Sequence, residues 1–222
     1  MNAKSGTDVV GINIGCGPSP TVGYFNYDNS YSVRFAATPL VLPILARAGL
    51  ASGQQLELAA VARLKGVRWA PARRLPHLDK TVDVVYSSHM VEHLDRREAL
   101  DFLGEARRVL KPGAVVRLVL PDLRMRVDSY LQDGDADHFV SRLYLTRERP
   151  RGLLSRLKWM IVGDRQHAWM YDAKSAIRLL EEAGFRSLVG LQPGETTIPN
   201  PGLLDLCERQ EDSIYIEGRA PA

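Results

Sequence analysis

The chain has 222 residues, of which 45% are hydrophobic and 25% charged, and a formal net charge of +3. That length suits one domain with a sizeable core, and so small a charge gives no reason to expect nucleic acid as the partner. The two cysteines, Cys16 and Cys207, are too far apart for a CxxC or zinc pattern, no apolar run reaches the roughly 18 residues that span a bilayer, and the short polar residues 1–8 carry no signal-peptide pattern, so a reduced, cytoplasmic setting is expected.

In chain order, residues 9–14 (Val-Val-Gly-Ile-Asn-Ile) predict a buried first strand that runs into the turn Gly15-Cys16-Gly17-Pro18. Residues 24–27 predict a second strand, with Asp28 at its end. Residues 32–49 are apolar but broken by Pro39 and Pro43, so one or two short helices are expected there. Residues 54–65 read as a helix with Leu56, Ala59, Ala60 and Leu64 on one face. Residues 67–69 and 82–86 predict strands three and four. A clear helix follows over 96–110, with Leu100, Leu103, Ala106 and Leu110 at helical spacing, stopped by Lys111-Pro112-Gly113. Residues 114–120 predict strand five. Asp172 is the expected N-cap of a helix over 173–183 that Gly184 ends, and residues 185–191 and 213–217 supply two last strands.

Strand and helix patterns thus alternate. The expected architecture is α/β: a three-layer sandwich around a mostly parallel, seven-stranded, Rossmann-like sheet, in one domain over residues 1–222. The segment 123–170 breaks the alternation and reads as a helical insertion capping the substrate side. Within it, residues 142–158 hold six basic side chains (Arg142, Arg147, Arg149, Arg151, Arg156, Lys158) against one acid, Glu148. Two readings stand for this stretch. It is a solvated helix face, or a surface for an anionic substrate or lipid headgroup, with Trp159, Met160 and Ile161 as apolar partners and peripheral membrane contact through 142–161.

A strand, a glycine turn and an acid after the next strand form a nucleoside-binding layout. Glycine lets the backbone approach a ligand closely, and the acid can accept hydrogen bonds from a ribose diol. A dinucleotide site wants G-x-G-x-x-G and an acid about 20 residues on. Here the pattern begins Gly15-x-Gly17, but position 20 is Pro, and Asp28 comes sooner than that. A ligand without a pyrophosphate fits better, S-adenosylmethionine above all, and a nicotinamide-dependent dehydrogenase is disfavoured. The plainer alternative is that Gly15 and Gly17 only make a tight turn.

Further runs extend this. Arg74-Leu75-Pro76 precedes Thr81-Val82-Asp83-Val84-Val85-Tyr86-Ser87-Ser88-His89-Met90-Val91-Glu92-His93-Leu94, and Arg107-Arg108-Val109-Leu110-Lys111-Pro112-Gly113-Ala114 leads into strand five. With the glycine turn, these runs resemble, in the same order, the motifs of class I S-adenosylmethionine-dependent methyltransferases of the type 11 superfamily. Gly23-Tyr24-Phe25-Asn26-Tyr27-Asp28, Leu120-Pro121-Asp122-Leu123 and Gln166-His167-Ala168-Trp169-Met170-Tyr171-Asp172 are similar to marks of a subgroup linked to polysaccharide, lipopolysaccharide and other glycoconjugate biosynthesis. The resemblance implies that Gly15, Cys16 and Gly17 contact the amino-acid part of the cofactor. It gives Asp28 the ribose hydroxyls, and Ser87, Ser88 and His89 the methionine side. Relatives place an acid before the Leu-Pro pair for the adenine; here that position is Pro71, which leaves backbone near Ala72 and Arg73 to hold the ring. The short gap from Gly17 to Asp28 leaves no room for a full first helix, so the pocket is either more open there or covered by residues 32–50.

Methyl transfer needs an aligned acceptor and, for a hydroxyl, a base. The candidates are His89, His93 and His167, with Asp122 and Asp172 as carboxylate partners. His167, His89 and Asp122 are the catalytic set, with His167 on the acceptor side next to Trp169 and Tyr171, which could stack on a sugar ring. His89-x-x-Glu92-His93 also matches an inverted zinc-peptidase motif, because helical positions 89 and 93 would share a face. Placed straight after a buried strand, Glu92 and His93 read instead as cap or packing residues, and no metal site is assigned. The expected function is S-adenosylmethionine-dependent O-methylation of a saccharide or glycosylated metabolite. The alternatives are a lipid or natural-product acceptor, or a methyltransferase fold that binds without turnover. A small-molecule or saccharide acceptor, no nucleic acid and a homodimer complete the expected partners.

Overall fold

The computed structural model describes residues 9–38, 40–49, 51–145 and 166–222. Strands β1 (Gly11–Ile14), β2 (Tyr24–Asp28), β3 (Arg68–Trp69), β4 (Val82–Ser88), β5 (Leu110–Pro121), β6 (Arg186–Leu191) and β7 (Ser213–Arg219) form one sheet in the order β3-β2-β1-β4-β5-β7-β6. The first five strands pair in parallel, while β7 runs antiparallel to both β5 and β6. The helices are α1 (Tyr31–Arg34), α2 (Val41–Arg47), α3 (Gly53–Lys65), α4 (Arg96–Val109), α5 (Leu123–Asp133), α6 (Ala136–Leu143) and α7 (Ala173–Glu182). Chain order reverses between β1 and β4, and ligands of open α/β sheets bind at the carboxyl ends of the strands flanking such a switch point.

Alternation within the strands divides the core. Ile12, Val116, Leu118, Leu120, Ile214 and Ile216 face Phe102, Leu103 and Ala106 of α4 and Leu179 and Leu180 of α7. Val84, Tyr86, Val115, Val119 and Tyr215 point the other way, under Ile198 and Leu204 of the connection between β6 and β7. Helix α4 starts at a capping box in which the Asp95 side chain accepts from the Glu98 N–H and the Glu98 carboxylate accepts from the Asp95 N–H. Helix α7 has Asp172 as its N-cap, accepting from the Ser175 N–H, as the sequence predicts.

Parallel neighbours usually need a crossover of a dozen or more residues, yet β1 and β2 are joined by residues 15–23 alone, without a helix. Two buried asparagines hold this short loop. Asn26 accepts from the Thr21 N–H at 2.8 Å and donates to the Thr21 carbonyl at 2.9 Å, and Asn13 donates to the Thr21 hydroxyl at 3.0 Å. Helices α1–α3 take up the space left beside the loop, where Cys16 packs with Val33, Ala36, Leu42, Ala59 and Ala62. Of the two expectations for this side, cover by residues 32–50 is the one that matches.

Three expectations need correction. Helix α3 buries Gln55, Ala59 and Ala62, whereas Leu64 is 86% exposed, because close packing against α1 selects small side chains over the larger leucine. Helix α4 buries Ala99, Phe102 and Val109 along with Leu103 and Ala106, and stops at Val109. Lys111-Pro112-Gly113 does not separate helix from strand, because β5 already begins at Leu110. The register with β4 shifts between Val82 and Val84, so Pro112 and Gly113 (φ +75°) sit in an irregularity of that pairing, and the Gly113 N–H donates on the other side to the Ala220 carbonyl at 3.0 Å.

Helices α5 and α6 form the described part of the expected insertion. Arg147, Glu148, Arg149, Arg151, Arg156, Lys158, Trp159, Met160 and Ile161, and with them most of the expected membrane-contact stretch 142–161, lie outside the described residues. Among the described residues, no helix is long and apolar enough to cross a membrane.

Candidate active site

The carboxyl ends of β1, β2 and β4 bring the cofactor candidates to one edge. Gly15 (φ +71°) and Gly17 (φ +50°) both adopt the left-handed conformation, and each needs it for a different reason. A Cβ on Gly15 would lie 2.3 Å from Cγ of Met90, whereas a Cβ on Gly17 would meet nothing within 4 Å and would project into open space. Gly15 is therefore fixed by packing, and Gly17 leaves a cradle into which backbone and ligand can approach. Gly15→Ala should lose roughly 2–4 kcal/mol of stability, from left-handed strain and overpacking together. Gly17→Ala should lose about 1 kcal/mol and still bind S-adenosylhomocysteine at least tenfold more weakly. Chemical denaturation combined with calorimetry separates the two effects, and equal ligand affinity in Gly17→Ala would remove the cradle.

Asp28 ends β2 and closes the loop from the other side. One carboxylate oxygen accepts from the Gly17 N–H at 3.1 Å and the other from the Ser30 N–H at 2.8 Å. Each oxygen keeps a second lone-pair direction for a ribose hydroxyl, so the loop fits an adenosyl group as well as pinning itself. The Cys16 thiol is pushed up to about 12 by burial and then by Asp28, which makes it a packing residue rather than a nucleophile. Trp69 ends β3 opposite Asp28, and Ala70 follows it with its N–H donating to the Asp28 carbonyl at 3.3 Å. Ala72 is half-buried and Arg73 exposed in the turn that follows.

The β4 residues divide. The Ser87 hydroxyl donates to the Ile14 carbonyl at 3.0 Å and stitches β4 to β1, so it is spent within the sheet. Ser88 stands at the end of the strand. His89 (φ +48°) turns its ring towards β7. Its Nδ1 lies 3.0 Å from the Arg209 guanidinium, which can only donate, and its Nε2 lies 2.8 Å from Ser213 Oγ. Burial, and then Arg209, hold its pKa down to about 4. His89 is therefore neutral with both ring nitrogens engaged, a correction to its expected role as a base. Its 3.5 Å approach to Glu92 is not an ion pair, because the facing nitrogen already accepts a hydrogen bond from Arg209.

Asp122 caps α5 by accepting from the Arg124 N–H at 2.8 Å, and Asp172 caps α7. Among the described residues, neither carboxylate bonds a histidine, so the expected carboxylate–histidine pairs do not form. Tyr171 is fully buried and pairs with Asp122 through a β-bridge, which rules it out as a platform for a sugar. Trp169, 45% exposed, remains available.

Glu92 and His93 do not cap a helix, since Asp95 does. They form a 3-10 turn, Val91–His93, and the Glu92 carbonyl accepts N–H groups from Ala168 at 2.7 Å and Trp169 at 3.1 Å. This clasp brings His167 beside His93, with ring centroids 5.1 Å apart, and beside Tyr144, at 5.4 Å. Burial and then His93 hold the His167 pKa down to about 4, so its ring is neutral. Sequence reasoning missed Arg209 and Glu208, which reach the site from the β6–β7 connection. Glu208 accepts the Tyr86 hydroxyl, and nothing local to either residue signals that contact.

A methyltransferase domain family model matches residues 12–118, the stretch that runs from β1 through β4 into β5. No curated protein sequence matches the chain. Among solved structures, it is similar to an S-adenosylmethionine-dependent methyltransferase from Methanosarcina mazei at 15% identity and a TM-score of 0.51, over 97% of this chain and 94% of that one. It is similar to one from Thermotoga maritima at 16% identity and a TM-score of 0.49, over 95% of this chain and 81% of that one. A third, from Aquifex aeolicus, aligns at 14% identity and a TM-score of 0.47, over 96% and 82%. Residues 12–118, with the glycine cradle and the β2 acid at the switch point of the sheet, thus match a methyltransferase domain, and the chain has the fold of the S-adenosylmethionine-dependent methyltransferase from Methanosarcina mazei.

Proposed function

We propose that the chain methylates a hydroxyl of a saccharide or a glycosylated metabolite. One observation carries the reading: His93, Tyr144, His167 and Trp169 come together next to the 3-10 turn after β4, all at least partly open to solvent. Aromatic faces suit the apolar faces of a sugar ring, and imidazole nitrogens can hydrogen-bond its hydroxyls. In the reaction, the bond from the methyl carbon to the sulfonium sulfur breaks with its electron pair on sulfur, a bond forms to the acceptor oxygen, and the hydroxyl proton passes to solvent. The acceptor-side groups have only to align that oxygen and ease loss of its proton. The resemblance to glycoconjugate-linked methyltransferases points to the same acceptor class.

The test is transfer of a labelled methyl group to a panel of free sugars, glycosides, glycolipids and unglycosylated natural products. Label in the sugar-bearing acceptors supports the reading, and label only in unglycosylated ones overturns it. His167→Ala should lower turnover at least tenfold on the best acceptor while S-adenosylhomocysteine affinity stays within about threefold. A large loss of that affinity would put His167 on the cofactor side.

A further inference from the structure

One buried group is left over by the site as described. The Glu92 side chain is only 1% exposed, and among the described residues neither of its carboxyl oxygens has a hydrogen-bond partner. What surrounds it is a set of donors. Glu92, His93 and His167 each present one ligand atom, and these atoms lie within 4.8 Å of one another.

The two imidazoles are prepared for the same task. His93 Nδ1 lies 3.0 Å from the Gln166 carbonyl oxygen, which can only accept. In the neutral ring that nitrogen carries the hydrogen, which leaves the lone pair on Nε2. His167 Nδ1 lies 3.1 Å from Met170 Sδ, a weak acceptor, and the ring also hydrogen-bonds the Leu143 backbone. A histidine that donates one N–H to a backbone carbonyl and offers its other nitrogen is the usual orientation of a metal ligand. His89, the first residue of H-x-x-E-H, is not part of the set, because Arg209 and Ser213 occupy its ring. The third donor is His167 instead, brought from far along the chain by the two N–H bonds to the Glu92 carbonyl.

We propose that Glu92, His93 and His167 form a binding site for a divalent transition-metal cation, Zn2+ or Mn2+, at the acceptor side of the methyl-transfer site. Two imidazoles and one carboxylate are the donors such ions take, with coordination positions left open. A bound cation would supply the positive charge that buried Glu92 lacks. His93 is exposed, so the ion can enter from solvent. Met90, two residues before Glu92, packs where a Gly15 side chain would stand, which ties the cluster to the cofactor loop. A hydroxyl bound at an open position would lose its proton more readily. That role in turnover rests on the hydroxyl-acceptor reading above, whereas the binding site does not.

The test uses the full chain stripped of metal with a chelator and titrated calorimetrically with ZnCl2 and MnCl2, with MgCl2 as the control. One Zn2+ or Mn2+ per chain is expected, at micromolar affinity or tighter. His93→Ala and His167→Ala should each weaken binding at least tenfold, while His138→Ala, an exposed histidine on α6, leaves it unchanged. S-adenosylhomocysteine binding confirms that each variant is folded. No binding, or binding indifferent to both histidines, overturns the site. Should a variant fail to fold, electron paramagnetic resonance of the Cu2+-loaded wild-type chain decides, since two imidazole nitrogens coupled to the ion are expected and none or one would sink the assignment. Metal bound as described with no sugar acceptor methylated would fail the acceptor reading alone.

Discussion

Asp28→Ala should bind S-adenosylhomocysteine at least about 100-fold more weakly than the wild-type chain. The carboxylate has two separable tasks. Its two oxygens hold the Gly17 and Ser30 N–H groups, and each keeps a lone pair that a ribose hydroxyl could use. A hydrogen bond to a charged group contributes about 1.5–3 kcal/mol, and each 1.4 kcal/mol is tenfold in affinity, so losing two ribose bonds gives the stated effect. Losing the loop bonds should cost about 1–2 kcal/mol of stability, readable as a drop in Tm without ligand. Asp28→Asn separates the tasks. Its amide keeps one acceptor oxygen but turns an NH2 towards a backbone donor, so ligand affinity should fall to an intermediate value. Calorimetry on the three proteins, with NAD as control ligand, decides the matter. If Asp28→Ala lowers Tm but leaves S-adenosylhomocysteine affinity unchanged, Asp28 only pins the loop.

What could be read from the sequence follows from how local each signal is. The strands are apolar runs between turn residues, and the glycine turn with its acid spans only residues 15–28, so both show in a short window. The same locality misleads at Lys111-Pro112-Gly113, where proline and glycine read as a stop. Only pairing with β4 shows that a register irregularity carries the strand through them. Helix α3 misleads for a related reason, because apolar periodicity cannot say that a close neighbour favours alanine over leucine. The proposed cluster is legible in part. Glu92 and His93 stand in an evident motif, but the motif points to His89 as their partner, and a left-handed turn with a distant guanidinium takes His89 away. The contacts that settle this, Arg209 to His89 and His167 to the Glu92 turn, join residues too far apart for any periodicity to register.

Arg117→Met should cost about 3–5 kcal/mol of stability, the penalty for leaving a buried charge without its partner. Arg117 and Glu217 face each other across β5 and β7, are both essentially buried, and bond at 2.7 Å. In the sequence each is a charge within an apolar run, Val-Val-Arg117-Leu-Val and Ile-Tyr-Ile-Glu217. They sit on the face covered by the β6–β7 connection, and they fasten it. Arg117 donates to the Glu195 and Leu206 carbonyls, while Glu217 accepts from the Thr196 hydroxyl and from the Thr197 N–H and hydroxyl. Burial opposes the Glu217 charge, but the bonds from Thr196, Thr197 and Arg117 outweigh it and hold the carboxyl below its ordinary range. A depressed acid stabilises the fold above its unfolded pKa of about 4.3, and that contribution is lost as pH falls through the lower folded value. Wild-type stability from this pair should therefore be level from pH 5 to 8 and decline only in more acid solution. Without Arg117 the carboxyl pKa should rise, so the decline moves to higher pH. Arg117→Met with Glu217→Gln should be less damaging than the single changes predict by addition, because no charge is left stranded. Urea denaturation across pH measures all of this, and a loss under 1 kcal/mol in Arg117→Met would mean that water reaches Glu217. The same connection carries Arg209 to His89, so the single variant should also loosen the site. S-adenosylhomocysteine affinity falling at temperatures where the variant is still folded would show that this buried pair positions the edge of the active site as well as the sheet.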